Sequence, residues 1–179
     1  MTNQQETKAM ESCALEMMVI IFACISSVHA KCPQPFFEHS NNCYYFGTNS
    51  VTNVERAFAC CQAFGGYLLN IDAQREMDFI VDTIKKQQRR FDGYWTGGYF
   101  NGQNWEWQRH ATNESVTYRT VPIRGYTNWA VREPNDVYTG RWDRYLVILA
   151  HAAEPFKWYS ESHLSARIMS YICERDLKK

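Results

Sequence analysis

The sequence predicts one α+β domain, with two helices packed on short antiparallel sheets and a long loop region. Three observations carry that expectation. Apolar residues recur at helical spacing in two early segments, the chain beyond Phe91 turns to aromatic pairs separated by Gly turns, and two short apolar runs lie near its end. In chain order the elements read strand, helix, helix, then strands and loops.

The stretch from Cys32-Pro33 to Phe46 predicts two short strands around a turn at Ser40-Asn41-Asn42. Cys32 and Cys43 are near enough in sequence to staple that hairpin. From Thr52 the period changes: Val54, Ala57, Phe58, Cys61 and Phe64 follow helical spacing. Thr52 and Glu55 read as a capping box, and Gly65-Gly66 ends the helix, because glycine accepts the left-handed conformation that helix ends use. Residues 67–71 predict a short apolar strand. Asp72 is the expected cap of a second helix, whose apolar stripe is Met77, Ile80, Val81 and Ile84 and whose end is the polar run Gln87-Gln88-Arg89-Arg90. Further on, YWTGG, NGQNWEW, YTNW and GRW predict short strands and long loops, with strand candidates at 145–150 and 169–173.

The N-terminus predicts secretion. Met17 to Ser27 reads MMVIIFACISS and is followed by Val28-His29-Ala30, an apolar run with small residues three and one before a cut. Residues 1–30 are therefore expected as a signal peptide, 31–175 as the domain and 176–179 as a tail. The run falls short of the ~20 apolar residues a spanning helix needs, so no membrane insertion is expected after cleavage. Removing Cys13 and Cys24 leaves Cys32, Cys43, Cys60, Cys61 and Cys173 in an oxidising compartment. That odd number singles out Cys60, which diverges by about 100° from Cys61 on a helix. It reads as a buried free thiol or as the crosslink of a homo-oligomer. Asn113-Glu114-Ser115 is a glycosylation acceptor.

Charge is balanced, 19 basic against 19 acidic residues, so no global field gathers nucleic acid. The histidines lie far apart without zinc-binding spacing, and no nucleophile elbow, phosphate loop or dinucleotide fingerprint is present. No enzyme is expected.

Several segments together resemble the C-type lectin-like domain family over nearly all of residues 31–175. They are Cys32-Pro33 with Cys43, Ala57-x-x-x-Cys61-x-x-x-Gly65-Gly66-x-Leu68, Trp95-Thr96-Gly97-Gly98, Trp105-Glu106-Trp107, Trp129 with Glu133-Pro134-Asn135, Trp158, and Tyr171-Ile172-Cys173-Glu174. The resemblance implies a double-looped domain with two helices, Trp95-Thr96-Gly97-Gly98 in its core and Cys61 bonded to Cys173. It also implies that Glu133 and Asn135 supply calcium ligands across a cis proline and hydrogen-bond a sugar with equatorial hydroxyls, as in mannose. Such chemistry suits a hard cation that wants six to eight oxygens. The expected function is thus a secreted, weakly calcium-dependent lectin for mannose-type glycans, whose partners are glycans or glycoproteins. The alternative is a calcium-independent protein-binding domain of the same fold.

Two departures from the family pattern bear on that site. A third ligand falls on Asp143 only if the loop after Asn135 is longer here, and the usual Asn-Asp pair after the last Trp is replaced by Tyr159-Ser160. A phenol and a hydroxyl cannot stand in for a bidentate carboxylate, although Tyr159 remains a candidate sugar contact beside Glu133, Asn135 and Asp143. The family's inner disulfide, expected near Tyr145 and His163, is missing as a pair.

Overall fold

The computed structural model describes residues 32–110, 118–135 and 144–177. The segments expected as signal peptide and the acceptor at Asn113 lie outside the described residues, as do Trp142 and Asp143. The hairpin forms as expected: β1 (Phe37–His39) and β2 (Asn42–Phe46) pair antiparallel, and Cys32 is bonded to Cys43.

Helix α1 (Val54–Ala63) starts one residue later than the capping box implies. Asn53 is the cap, and its Oδ1 accepts the Arg56 N–H at 3.0 Å. A side chain at the residue just before the first helical turn reaches the orphan N–H three residues on, and Asn53 holds that position, not Thr52. The end of α1 follows expectation. Gly65 takes φ +74°, its N–H bonds to the Gln62 carbonyl, and the Gly66 N–H bonds to the Cys61 carbonyl.

Strand β3 (Tyr67–Leu68) is shorter than the sequence suggests. Helix α2 (Gln74–Gln87) is capped from the other direction: Ala73 occupies the cap position, and Glu76 reaches back to accept the Asp72 N–H at 3.0 Å. Glutamate three residues into a helix satisfies a donor ahead of it in this way. The stripe Met77, Ile80 and Ile84 is buried, while Val81 is half-buried.

The remaining strands are β4 (Gly93–Phe100), β5 (Trp105–His110), β6 (Tyr118–Pro122), β7 (Tyr145–Leu149), β8 (Lys157–Glu161) and β9 (Met169–Asp176). β9 runs one residue past the expected domain boundary, and Tyr67 Oη donates to Asp176 Oδ1 at 2.6 Å. Among the described residues the strands join in the order β1-β2-β9-β4-β5-β6, with β3 on β9 and β7 and β8 extending from β4. The sheet is not purely antiparallel as expected, because β4 and β9 pair parallel. These strands are far apart in sequence, and a long connection frees them from the antiparallel sense that a hairpin imposes.

Two cores result. One packs α1 with Trp95, Val147, Tyr171 and the Cys61–Cys173 disulfide, which the structure contains as the resemblance implied. The other packs α2 with Tyr94, Trp107, Ile148 and Trp158. Trp95 and Trp107 are core residues as expected, whereas Trp105 is only half-buried. Gly97 and Gly98 allow close packing in β4: a Cβ on Gly97 would meet Asn70 Oδ1 at 2.5 Å, and one on Gly98 would meet the Leu146 Cβ at the same distance.

Cys60 is disulfide-bonded and not the free thiol of the sequence reading. The divergence of Cys60 and Cys61 around the helix gives each sulfur its own direction, and Cys61 is the one bonded to Cys173 of β9.

Candidate functional site

The loop that carries Glu133-Pro134-Asn135 is fixed to β8 before it reaches the tripeptide. The Trp158 N–H donates to the Asn128 carbonyl at 2.9 Å, and the Ala130 N–H donates to the Trp158 carbonyl at 3.0 Å. Trp129 packs its ring on Trp158 at 5.7 Å and on Trp105 at 4.9 Å. Lys157 Nζ adds a bond to Asn128 Oδ1, and Glu154 Oε1 accepts the Val131 N–H at 2.7 Å. A tight turn follows, in which the Glu133 N–H reaches the Ala130 carbonyl at 3.0 Å and Arg132 sits at φ +69°. The Glu133–Pro134 peptide is cis.

At the end of that turn the Glu133 carboxylate collects four donors. Asn135 Nδ2 bonds to Oε1 at 2.8 Å, and the Asn135 N–H bonds to Oε2 at 3.2 Å. From β8, the Ser160 N–H and Ser160 Oγ both bond to Oε2, at 3.0 and 2.8 Å. Each oxygen of an ionised carboxylate offers about two acceptor sites, so the three donors on Oε2 fill that oxygen while Oε1, with one, keeps an acceptor site. Glu133 and Ser160 are half-buried, while Asn135 is exposed at the rim.

Alternation along β8 separates the neighbours of Ser160. Side chains two apart share a face, so Trp158 and Ser160 lie on one side and Tyr159 on the other. The Tyr159 hydroxyl is bonded to the main chain of Glu154, accepting its N–H at 3.2 Å and donating to its carbonyl at 3.1 Å. Its ring packs against the α1 core. The structure therefore brings together Glu133, Asn135 and Ser160, and turns the candidate contact Tyr159 away from them. Glu161 does not replace a missing ligand either. It accepts Arg167 Nε at 3.1 Å and the Ser162 N–H at 3.2 Å.

The described residues of this loop and of β8 do not by themselves make a calcium site, and Asp143 lies outside them. Glu133 and Asn135 bring side-chain oxygens, but the adjoining strand adds a neutral hydroxyl, and no group of three His, Cys, Asp or Glu side chains able to hold a metal occurs among the described residues. A site for that ion needs six to eight oxygens. What the arrangement offers instead is a hydrogen-bonding edge. Among the described residues, Asn135 Oδ1 and one N–H of its amide stay open beside Glu133 Oε1.

Ser160 is the residue that sequence reading missed as a participant. It stood out there only as a departure from a metal ligand, and the signal that would have recovered it is the strand alternation around buried Trp158.

Comparison with known proteins decides the family. Residues 50–175 match the model of the lectin C-type domain. The chain belongs to the C-type lectin domain family. Among relatives of this C-type lectin domain, a perlucin-like protein of Mytilus galloprovincialis is 31% identical over 108 residues, covering 59% of the chain and 62% of the relative. Lithostathine-1 of Mus musculus is 26% identical over 150 residues, covering 84% and 82%. The match thus spans less than two thirds of the perlucin-like protein. Among solved structures, the cow C-type carbohydrate-recognition domain of CD23, determined in the presence of a GlcNAc2Man3 oligosaccharide, superposes with TM-score 0.58 at 22% identity, over 83% of the chain and 98% of that domain.

Proposed function

We propose that this domain is a secreted carbohydrate-binding protein that takes mannose-type glycans on the edge formed by Glu133 and Asn135. Recognition without bond-making or bond-breaking is its activity. One observation carries the reading: the Asn135 amide and the Glu133 carboxylate are locked together at an exposed loop tip, with acceptor and donor positions side by side. A vicinal diol pairs with such an edge because each hydroxyl both donates and accepts. The order Glu-Pro-Asn supports mannose-type over galactose-type ligands, and family membership supports a glycan as the ligand class. For secretion the support is the N-terminal apolar run. No helix among the described residues is long and apolar enough to cross a membrane.

A few hydrogen bonds to one sugar give low affinity, so useful binding requires several copies on one surface. The test is therefore multivalent: pass the protein over immobilised mannose and immobilised galactose. Retention on mannose that is lost in Asn135→Ala supports the reading. Equal passage through both resins removes it and favours the protein-binding alternative, for which the 75% exposed Val131 beside the site would be a contact.

A further inference from the structure

Calcium is the obvious candidate to hold together a loop that carries a glutamate and an asparagine, and the hydrogen bonds around Glu133 point elsewhere. Three of the four donors converge on Oε2, and two of those three come from Ser160. The fourth reaches Oε1 from Asn135. Ser160 sits on β8 two residues beyond Trp158, whose indole is buried and packed edge-on against Trp107, Tyr126 and Trp129. The donor is thus carried by a rigid strand, not by a loop. It spans 27 residues of sequence to reach the carboxylate. We propose that the Ser160 hydroxyl and amide fill the place of a bound ion, so that the Glu133–Asn135 edge is held ready for its ligand without calcium.

The electrostatics are consistent with this. One carboxylate facing one hydroxyl needs no counter-ion, and a bond from a neutral donor to an ionised acceptor is among the stronger hydrogen bonds. Two carboxylates at this separation would repel and would need a cation between them. Among the described residues, the other carboxylates near the loop are committed elsewhere, Glu154 to the Val131 N–H and Glu161 to Arg167. The proposal rests on the Glu133–Asn135 reading of the site given above, and it adds how that site is held and which ion it does without.

Thermal melts of the full chain in chelator and in 10 mM calcium, a ~10-fold excess over the about 1 mM dissociation constant of weak extracellular sites, give the test. Binding of that strength would multiply the folding equilibrium by about eleven and raise Tm by roughly 3–6 °C. The expected result for the unmodified chain is no change, and a rise of that size overturns the proposal. Ser160→Asp is expected to melt below the unmodified chain in chelator and to regain Tm when calcium is added. Ser160→Asp as stable as the unmodified chain in chelator would contradict it. Should that variant fail to fold, Ser160→Ala is expected to lose roughly 2–6 °C with no response to calcium, and a Ser160→Ala melt equal to that of the unmodified chain overturns the latch. Mannose-resin retention separates the two claims. Retention that persists in chelator supports both, and retention only with calcium overturns this inference while leaving the glycan reading. No retention with a flat melt removes the glycan reading and leaves the ion-free latch standing.

Discussion

Asn70 and Glu174 are joined across 104 residues of chain by a 3.0 Å bond from the Asn70 N–H to Glu174 Oε2. Glu174 is buried in β9, and its other oxygen accepts Asn42 Nδ2 at 2.6 Å. One carboxylate thus ties the hairpin, the connection after β3 and the last strand. Hydrogen bonds to a charged acceptor contribute about 1.5–3 kcal/mol each, and deleting the acceptor leaves a buried N–H unsatisfied. Glu174→Ala should therefore lower Tm by roughly 5–15 °C, with Glu174→Gln losing less. Scanning calorimetry of the two variants checks the order.

Gly97 is set against Asn70 as well. An added Cβ would meet Asn70 Oδ1 at 2.5 Å and the Leu68 carbonyl at 2.8 Å, and the second of these is backbone that cannot swing aside. Overpacking of this kind costs about 1–3 kcal/mol. Gly97→Ala should shift the denaturation midpoint by that amount without altering the slope, which a urea titration reads directly.

The two disulfides that join described cysteines differ in the loops they close, with sequence separations of 11 for Cys32–Cys43 and 112 for Cys61–Cys173. On the chain-entropy account the short loop contributes about 3 kcal/mol and the long one about 5 kcal/mol. Paired Cys→Ala replacements should therefore destabilise unequally, the Cys61/Cys173 pair more. Equal losses in equilibrium unfolding would show that strain or residual structure, and not loop length, sets the effect.

Alkaline titration probes the cores. Burial raises the Tyr126 hydroxyl to about 12, aided by the Asp78 charge, and its Oη has no hydrogen-bond partner among the described residues. Tyr44 is pushed higher still by burial, then by the charges of Glu174 and Glu76. A group whose folded value lies above its unfolded value near 10 stabilises fully below pH 10 and loses that contribution as pH rises through the folded value. Stability should be level up to about pH 10 and fall between pH 10 and 12. Tyrosinate absorbance should lag behind that of the unfolded chain over the same range.

The elements that the sequence made legible are those with strong periodicity. Val54, Ala57 and Cys61 on α1, and Met77, Ile80 and Ile84 on α2, are buried as their spacing implies. Helix starts were misread by one residue: Asn53 rather than Thr52 holds the first cap position, and Ala73 rather than Asp72 the second, where no side chain caps the helix. The choice depends on which backbone turns helical first, and pattern alone does not fix that. β8 escaped because Lys157, Tyr159, Ser160 and Glu161 dilute a strand whose one fully buried residue is Trp158. The site was half legible for the same reason. Glu133 and Asn135 announce themselves as a tripeptide, whereas Ser160 and the tether at Glu154 reach the loop only through the pairing of β7 with β8.

The central claim is that glycan is held at the tip carrying Glu133 and Asn135. It is tested most directly by titrating the isotopically labelled chain with a mannose-type oligosaccharide and following the backbone and side-chain amides by NMR. The account predicts concentration-dependent shifts centred on the Asn135 amide and its Nδ2 group, spreading to Val131 and Ser160. Shifts confined to another face, such as the cleft between Trp105, Arg124 and Trp129, or no shifts at millimolar sugar, would contradict it.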